Sequence, residues 1–220
     1  MSGRLEAQPG GMSIAKDGVA WVVTSDGQDW RVAWHPPPDA PPGIRHGSAA
    51  VCVAGDAVVL VSGDGDRWGL PGGRPEPGED WADTLRREVR EEACATVTAC
   101  RLLGFSRGVC VRGSQAGLVL VRALWRAEVR PDPWQPRLEI VGRRLVPVAE
   151  AFDSIWIEDG FEPLYRRIFV EARFPSGRER AVRQRAAVCG ATSASTVSSP
   201  VGGDCRVGAP AASRAWTVPG

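Results

Sequence analysis

The stretch from Trp68 to Ala95, WGLPGGRPEPGEDWADTLRREVREEACA, decides how the chain is read. Its first half is a loop of glycine and proline, and its second half, from Glu79, has helix formers throughout and no breaker. At about 100° per residue, with Glu88 set at zero, Trp81, Leu85 and Val89 fall at roughly 20°, 60° and 100°, an apolar stripe that must face a core. Glu92 lands at roughly 40°, inside that stripe, and Glu91 at roughly −60°. Asp83, Arg86 and Arg90 fall at roughly 160° to 220°, where solvent is expected.

Three carboxylates therefore border the buried face. A solvated helix laced with i, i+4 pairs such as Arg87 with Glu91 is the bland reading of so many charges. The angles oppose it, because clustered carboxylates at an apolar boundary repel one another and desolvate poorly unless a cation shares the site. Ligands that are all oxygen suit Mg²⁺ or Mn²⁺, and Mg²⁺ commonly bridges carboxylates to substrate phosphates. The paired glycines of the preceding loop let backbone approach a ligand closely, while Pro71 and Pro77 stiffen the approach. Phosphate chemistry assisted by a metal is the resulting expectation.

The segment resembles a Nudix box, G-x5-E-x7-R-E-U-x-E-E-x-G-U with U a bulky aliphatic residue. Gly73, Glu79, Arg87, Glu88, Val89, Glu91 and Glu92 all stand at the required offsets. Two positions depart from the pattern: Cys94 replaces the last glycine and Ala95 the last aliphatic residue. That glycine normally ends the helix in a left-handed conformation, so Cys94 costs about 1 kcal/mol there or the helix ends differently.

The resemblance implies an α/β (α+β) fold, a Nudix-like α/β/α sandwich with a mixed β-sheet. It also implies hydrolysis of a diphosphate bond in a nucleoside diphosphate derivative, such as a nucleotide, nucleotide sugar or dinucleotide, by water attack on phosphorus. Glu88, Glu91 and Glu92 would hold Mg²⁺ or Mn²⁺, with the Gly73 carbonyl as a further ligand. Arg87 would orient the glutamates, and Glu79 would support them and face the helix N-terminus. The general base stays open between a box glutamate, Glu88 or Glu91, and Glu139, which resembles a later-loop position but also reads as a surface residue beside Arg137. The alternative is a Nudix domain that binds or senses a nucleotide metabolite without turnover. The family is often dimeric, so a homodimer is one candidate state.

Outward from the box, residues 1–18 read as a flexible arm. VAWVVT and DWRVAW, about Asp26-Gly27, read as a β-hairpin, and PPPDAPP as an extended spacer that sets the hairpin (19–47) apart. AAVCVAGDAVVLV begins the region that resembles a Nudix hydrolase domain (48–174), and the unbroken Val58 to Val61 suggests a strand covered on both faces. VTACRLLGFS, VCVRG, GLVLVRALWRAEV and EIVGRRLVPV read as four more strands, and FEPLYRRIFVEARF as the closing helix. Residues 175–220 read as a disordered tail, since the last 40 contain no Leu, Ile or Phe.

Trp21, Trp30, Trp34, Phe105 and Trp125 could stack a base, though aromatic residues in strands more often pack a core. Arg101, Arg107, Arg112 and Arg122 could meet phosphates or be solvated strand faces. His35 and His46, beside the proline spacer, read as exposed, and Cys110 as a small buried hydrophobe.

Composition limits the rest. Lys plus Arg is 27 against 26 for Asp plus Glu, so a net charge of +1 gives no field to gather nucleic acid or anionic membrane. No run of apolar residues is long enough for a signal peptide or a membrane span, and six cysteines include no C-x-x-C pair. The expectation is a cytoplasmic protein with reduced thiols, no zinc site and a small-molecule nucleotide-type substrate.

Overall fold

The computed structural model describes residues 13–135 and 139–173. The proposed tail, and the arm up to residue 12, lie outside the described residues. Ten elements follow in order: β1 (Ala20–Ser25), β2 (Gln28–His35), β3 (Ile44–Ala54), β4 (Ala57–Ser62), β5 (Gly72–Gly73), α1 (Trp81–Glu92), β6 (Ala95–Arg112), β7 (Val119–Pro131), β8 (Gly142–Pro147) and α2 (Glu162–Ala172).

The strands form one mixed sheet in the order β1-β2-β6-β7-β3-β4-β8, with β5 attached to β3. Among the strands of the described residues only β3 and β7 run parallel and the other strand pairings are antiparallel; an isolated parallel bridge joins Asp17 to Trp34. Asp26 and Gly27 both take positive φ, 47° and 73°, which is what a two-residue hairpin turn needs to match the strands' twist. Val58 to Val61 are buried on both faces, as their unbroken apolar run implies.

Alternate residues of the central strands serve the two helices. Leu85 and Val89 of α1 pack on Ala50, Cys52, Val59, Val61, Ala127 and Val129. Arg126, of the opposite parity on β7, donates from Nη1 to the Ala172 carbonyl that ends α2 (2.8 Å). The two helices thus cover opposite faces, and the architecture is the α/β/α sandwich with an added N-terminal hairpin.

Three readings of the chain are corrected. VTACRLLGFS and VCVRG are one strand, the 18-residue β6, with register shifts between Val97 and Ala99 and between Leu102 and Gly104. The shifts bend the strand locally, and its alternation therefore breaks in sequence although the ladder continues. The proline segment spaces β2 from β3 along the chain, but the hairpin is continuous with the main sheet: β2 pairs with β6 from Asp29 to His35. His46 is buried rather than exposed, and its imidazole is pushed down to about 3 by burial and by the nearby Arg122 and Arg74.

Candidate active site

Helix α1 starts at Asp80, whose carboxylate accepts from the Ala82 and Asp83 amides (2.7 and 2.8 Å) while Asp83 reaches back to the Asp80 amide. This reciprocal cap fixes where the helix begins, and hence where each glutamate points. Thr84, Leu85, Glu88, Val89 and Glu92 are buried, and Asp83, Arg86 and Arg90 are exposed, matching the angular sorting. At the other end Cys94 takes φ of 43°, so the chain does turn left-handed without glycine. Its thiol donates to the Gln135 carbonyl (3.1 Å), and its own carbonyl accepts from the Asp132 amide and from Arg143 (both 2.8 Å). Those contacts over-determine a conformation that the side chain disfavours.

Arg87 is the hub of the carboxylates. It donates to Glu79 from Nε (2.7 Å) and Nη2 (3.2 Å), to Glu91 from Nη1 (3.0 Å), and to the Arg74 carbonyl from Nη2 (2.6 Å). Its Nη1 also lies 2.9 Å from Glu88 Oε1. The hydrogen bonds from Arg87, with others from the Glu76 amide and Thr84, hold the Glu79 carboxyl at about 2 against the opposing effect of burial. The helix N-terminus is therefore capped by Asp80, and Glu79 spends its oxygens on Arg87, Thr84 and Glu76. In Glu88, burial raises the carboxyl above its ordinary range, Arg87 draws it back, and Glu91 and Glu79 push it further up.

Glu92 is not among the carboxylates that Arg87 engages. It accepts from the Gly72 amide (2.9 Å) at the start of β5. Burial raises its carboxyl to about 8; the Gly72 bond opposes this, while Glu88 and Glu139 add to it and Arg122 offsets part. Gly73 lies directly over Glu88, where a Cβ on Gly73 would stand 2.2 Å from Oε1. Only a residue without a side chain fits there. Its carbonyl sits against Gly47 of β3, where an added Cβ would be 2.4 Å away.

A cavity of about 610 Å³ opens beside Glu92, between the sheet and α2. Its lining includes Glu92 and Glu139, but neither Glu88 nor Glu91. Glu139 Oε2 is buried there without a hydrogen-bond partner among the described residues. None of Trp21, Trp30, Trp34, Phe105 and Trp125 lines it: Trp30 and Trp34 are wholly buried, and Phe105 meets Trp81 edge to face. Trp68 and Trp156 line it instead, linked by a Trp156 amide bond to the Trp68 carbonyl (2.8 Å). Neither carries a periodicity that marks it in sequence; Trp68 is hinted at only by its place before the GLPGG loop. Arg101 donates to the Glu171 carbonyl, Arg107 to the Pro42 carbonyl and Arg112 to Asp29, whereas Arg122 faces the cavity.

Among the described residues no three His, Cys, Asp or Glu side chains form a metal-binding group, and Arg87 engages Glu79, Glu91 and one oxygen of Glu88. The donor set still suits a hard dication. All its atoms are oxygen, burial and then the charges of Glu88 and Glu139 disfavour the Glu92 carboxylate, and Glu139 presents a buried oxygen with no hydrogen-bond partner among the described residues.

Comparison with solved structures finds a mutant of the pyrophosphohydrolase BsRppH from Bacillus subtilis, 16% identical over 78% of this chain and 98% of that one, with a TM-score of 0.45. A NUDIX hydrolase from Nitrosomonas europaea is 22% identical over 61% of this chain and 93% of that one, at 0.47. The MutT protein from Bacillus halodurans is 18% identical over 57% and 81%, at 0.44. No curated protein sequence matches the chain. A family model described as the NUDIX domain matches residues 44–168, which is more than half of the chain and includes the whole of α1 and its loop. The chain belongs to the Nudix hydrolase family.

Proposed function

We propose that the protein is a Mg²⁺- or Mn²⁺-dependent hydrolase that cleaves the diphosphate bond of a nucleoside diphosphate derivative by water attack on phosphorus. The observation that carries this reading is Glu92: a carboxylate buried in a cavity wall near Glu88 and Glu139, whose desolvation is only partly offset by the Gly72 amide bond and the charge of Arg122. A cavity of about 610 Å³ is of the size that takes a nucleotide-sized ligand.

Glu88, Glu91, Glu92 and the Gly73 carbonyl would hold the ion, which when bound supplies polarisation of phosphoryl oxygens and a water of lowered pKa. Arg87 keeps Glu88 and Glu91 in place, and Glu79 keeps Arg87 in place. Of Glu88, Glu91 and Glu139, the last alone lines the cavity, and its buried Oε2 has no hydrogen-bond partner among the described residues, so Glu139 is the best-placed proton acceptor. Its carboxylate takes a proton from water; the oxygen attacks phosphorus in line, and the bridging P–O bond breaks with its electron pair leaving on the departing phosphate.

Nucleoside diphosphate derivatives offered with Mg²⁺ or Mn²⁺, with phosphate released by a coupled phosphatase, test the reading. Turnover is expected for the wild type, and its loss in Glu92→Gln with the fold retained. Hydrolysis of no diphosphate with either ion would sink it, and uptake of a nucleotide without turnover would replace it by the sensing alternative.

A further inference from the structure

Arg122 stands in the first third of β7, paired with Ser106 on β6 and with Gly47 on β3. Paired residues on neighbouring strands share a face, so these three make one row on the sheet. The row has little bulk beside the guanidinium: on one side Gly47 has no side chain, and a Cβ there would come within 3.4 Å of Arg122 Nε. Arg122 Nε and Ser106 Oγ are both buried, both without hydrogen-bond partners among the described residues, and both residues line the cavity that holds Glu92. Tyr165 of α2 lines the same cavity and lies near enough to Arg122 for their charges to interact.

Two adjacent buried polar groups left unmatched are costly, and their proximity makes the cost hard to ascribe to chance. They are of one kind: a guanidinium N–H and a hydroxyl, both donors, with the donor capacity of a phenol close by. No carboxylate stands within ion-pair distance of Arg122 among the described residues, and Glu88 and Glu92 act on its charge only from farther away. The missing partner is therefore an anion rich in acceptor oxygens.

The structure assigns Arg122 and Ser106 to a phosphate-binding subsite within the cavity, which holds a phosphate of the substrate beside Glu92. This assignment rests on the nucleoside diphosphate reading and names the residues that recognise the anion. Arg122 supplies the charge, Ser106 a hydrogen bond from the adjacent strand, and Gly47 the room beside Arg122 Nε.

Calorimetry on the full chain tests it with α,β-methylene-ADP and inorganic pyrophosphate as probes, in EDTA and again with Mg²⁺. Arg122→Gln, Arg122→Lys and Ser106→Ala are compared with the wild type and with Arg31→Gln, an exposed control on β2, and melting temperatures are recorded. Arg122→Gln is expected to weaken both probes roughly 10- to 100-fold, as loss of a charged hydrogen bond does. Ser106→Ala should weaken them a few fold, Arg122→Lys should fall between wild type and Arg122→Gln, and Arg31→Gln should change nothing. Wild-type affinity in Arg122→Gln overturns the subsite, whatever happens to its melting temperature. Should Arg122→Gln not fold, unchanged affinity in both Arg122→Lys and Ser106→Ala overturns it. A wild type that takes up neither probe under either condition sinks the nucleotide reading as well, whereas retained binding in the variants sinks only the subsite.

Discussion

Arg87 grips both oxygens of Glu79 across eight residues, Nε at 2.7 Å and Nη2 at 3.2 Å, and the pair is only about one-seventh exposed. The bidentate fork uses the plane of a guanidinium, which a lysine lacks. Arg87→Ala should lower unfolding free energy by on the order of 3 kcal/mol, because it leaves Glu79 ionised and unpaired. Arg87→Lys should recover less than half of that in urea titrations. Glu79, depressed from 4.5 to about 2, adds stability that is present above about 4.5 and lost as pH falls through about 2. Wild type and Arg87→Ala should therefore differ most above pH 5 and converge in acid.

Glu92 has the opposite sign. Its carboxyl is raised from 4.5 to about 8, so below about 4.5 both folded and unfolded chains carry the proton and no penalty arises. Between about 4.5 and 8 the unfolded chain releases the proton first, and stability falls as pH rises. In EDTA, Glu92→Gln should melt several degrees above wild type at pH 8.5, and the gap should close near pH 5. Equal melting at both pH values would show that Glu92 is not desolvated.

Gly73→Ala places a methyl 2.2 Å from Glu88 Oε1. Glu88 must swing away, since the backbone on that side is held by the pairing of Gly73 with Ser48. Turnover should drop by at least about tenfold, the equivalent of about 1.4 kcal/mol in the barrier. Steady-state kinetics would expose the error if the variant matched wild type.

Cys94 offers a comparison of two variants. Cys94→Gly and Cys94→Ala both remove the thiol bond to Gln135, but only alanine keeps a Cβ at φ of 43°. The glycine variant should be the more stable by about 1 kcal/mol, read from chemical denaturation midpoints. If alanine proves equal or better, the left-handed turn carries no strain.

Much of this was legible in the chain. Helical geometry alone sorted most of α1: Leu85, Val89, Glu88 and Glu92, which the angles placed inward, are buried, whereas Trp81, also placed inward, is half-buried, and Thr84, which was not singled out, is buried. Asp26-Gly27 announced its turn because few other pairs accept positive φ twice. What escaped the sequence depends on pairing at long range. The continuity of β6 was hidden by bulges that break alternation, and His46 was misjudged because its neighbours in sequence are loop-like while its burial comes from the sheet. Arg122 looked like any arginine on an alternating strand; only its register against Gly47 and Ser106 sets it apart from Arg101, Arg107 and Arg112. Glu139 had a suggestive position but no local pattern, and its relation to Glu92 arises from folding.

The continuity of β2 with β6 bears on how the protein can be cut. The ring of Trp34 lies over Gly104, where a Cβ would be 2.4 Å from it, and the hairpin supplies every hydrogen-bonded neighbour that β6 has on that side. Trimming to residue 44, where the family match begins, would strip off two strands and leave a long bare edge. A shortened protein of that kind should clump rather than refold, so the hairpin of β1 and β2 belongs in any expression plan.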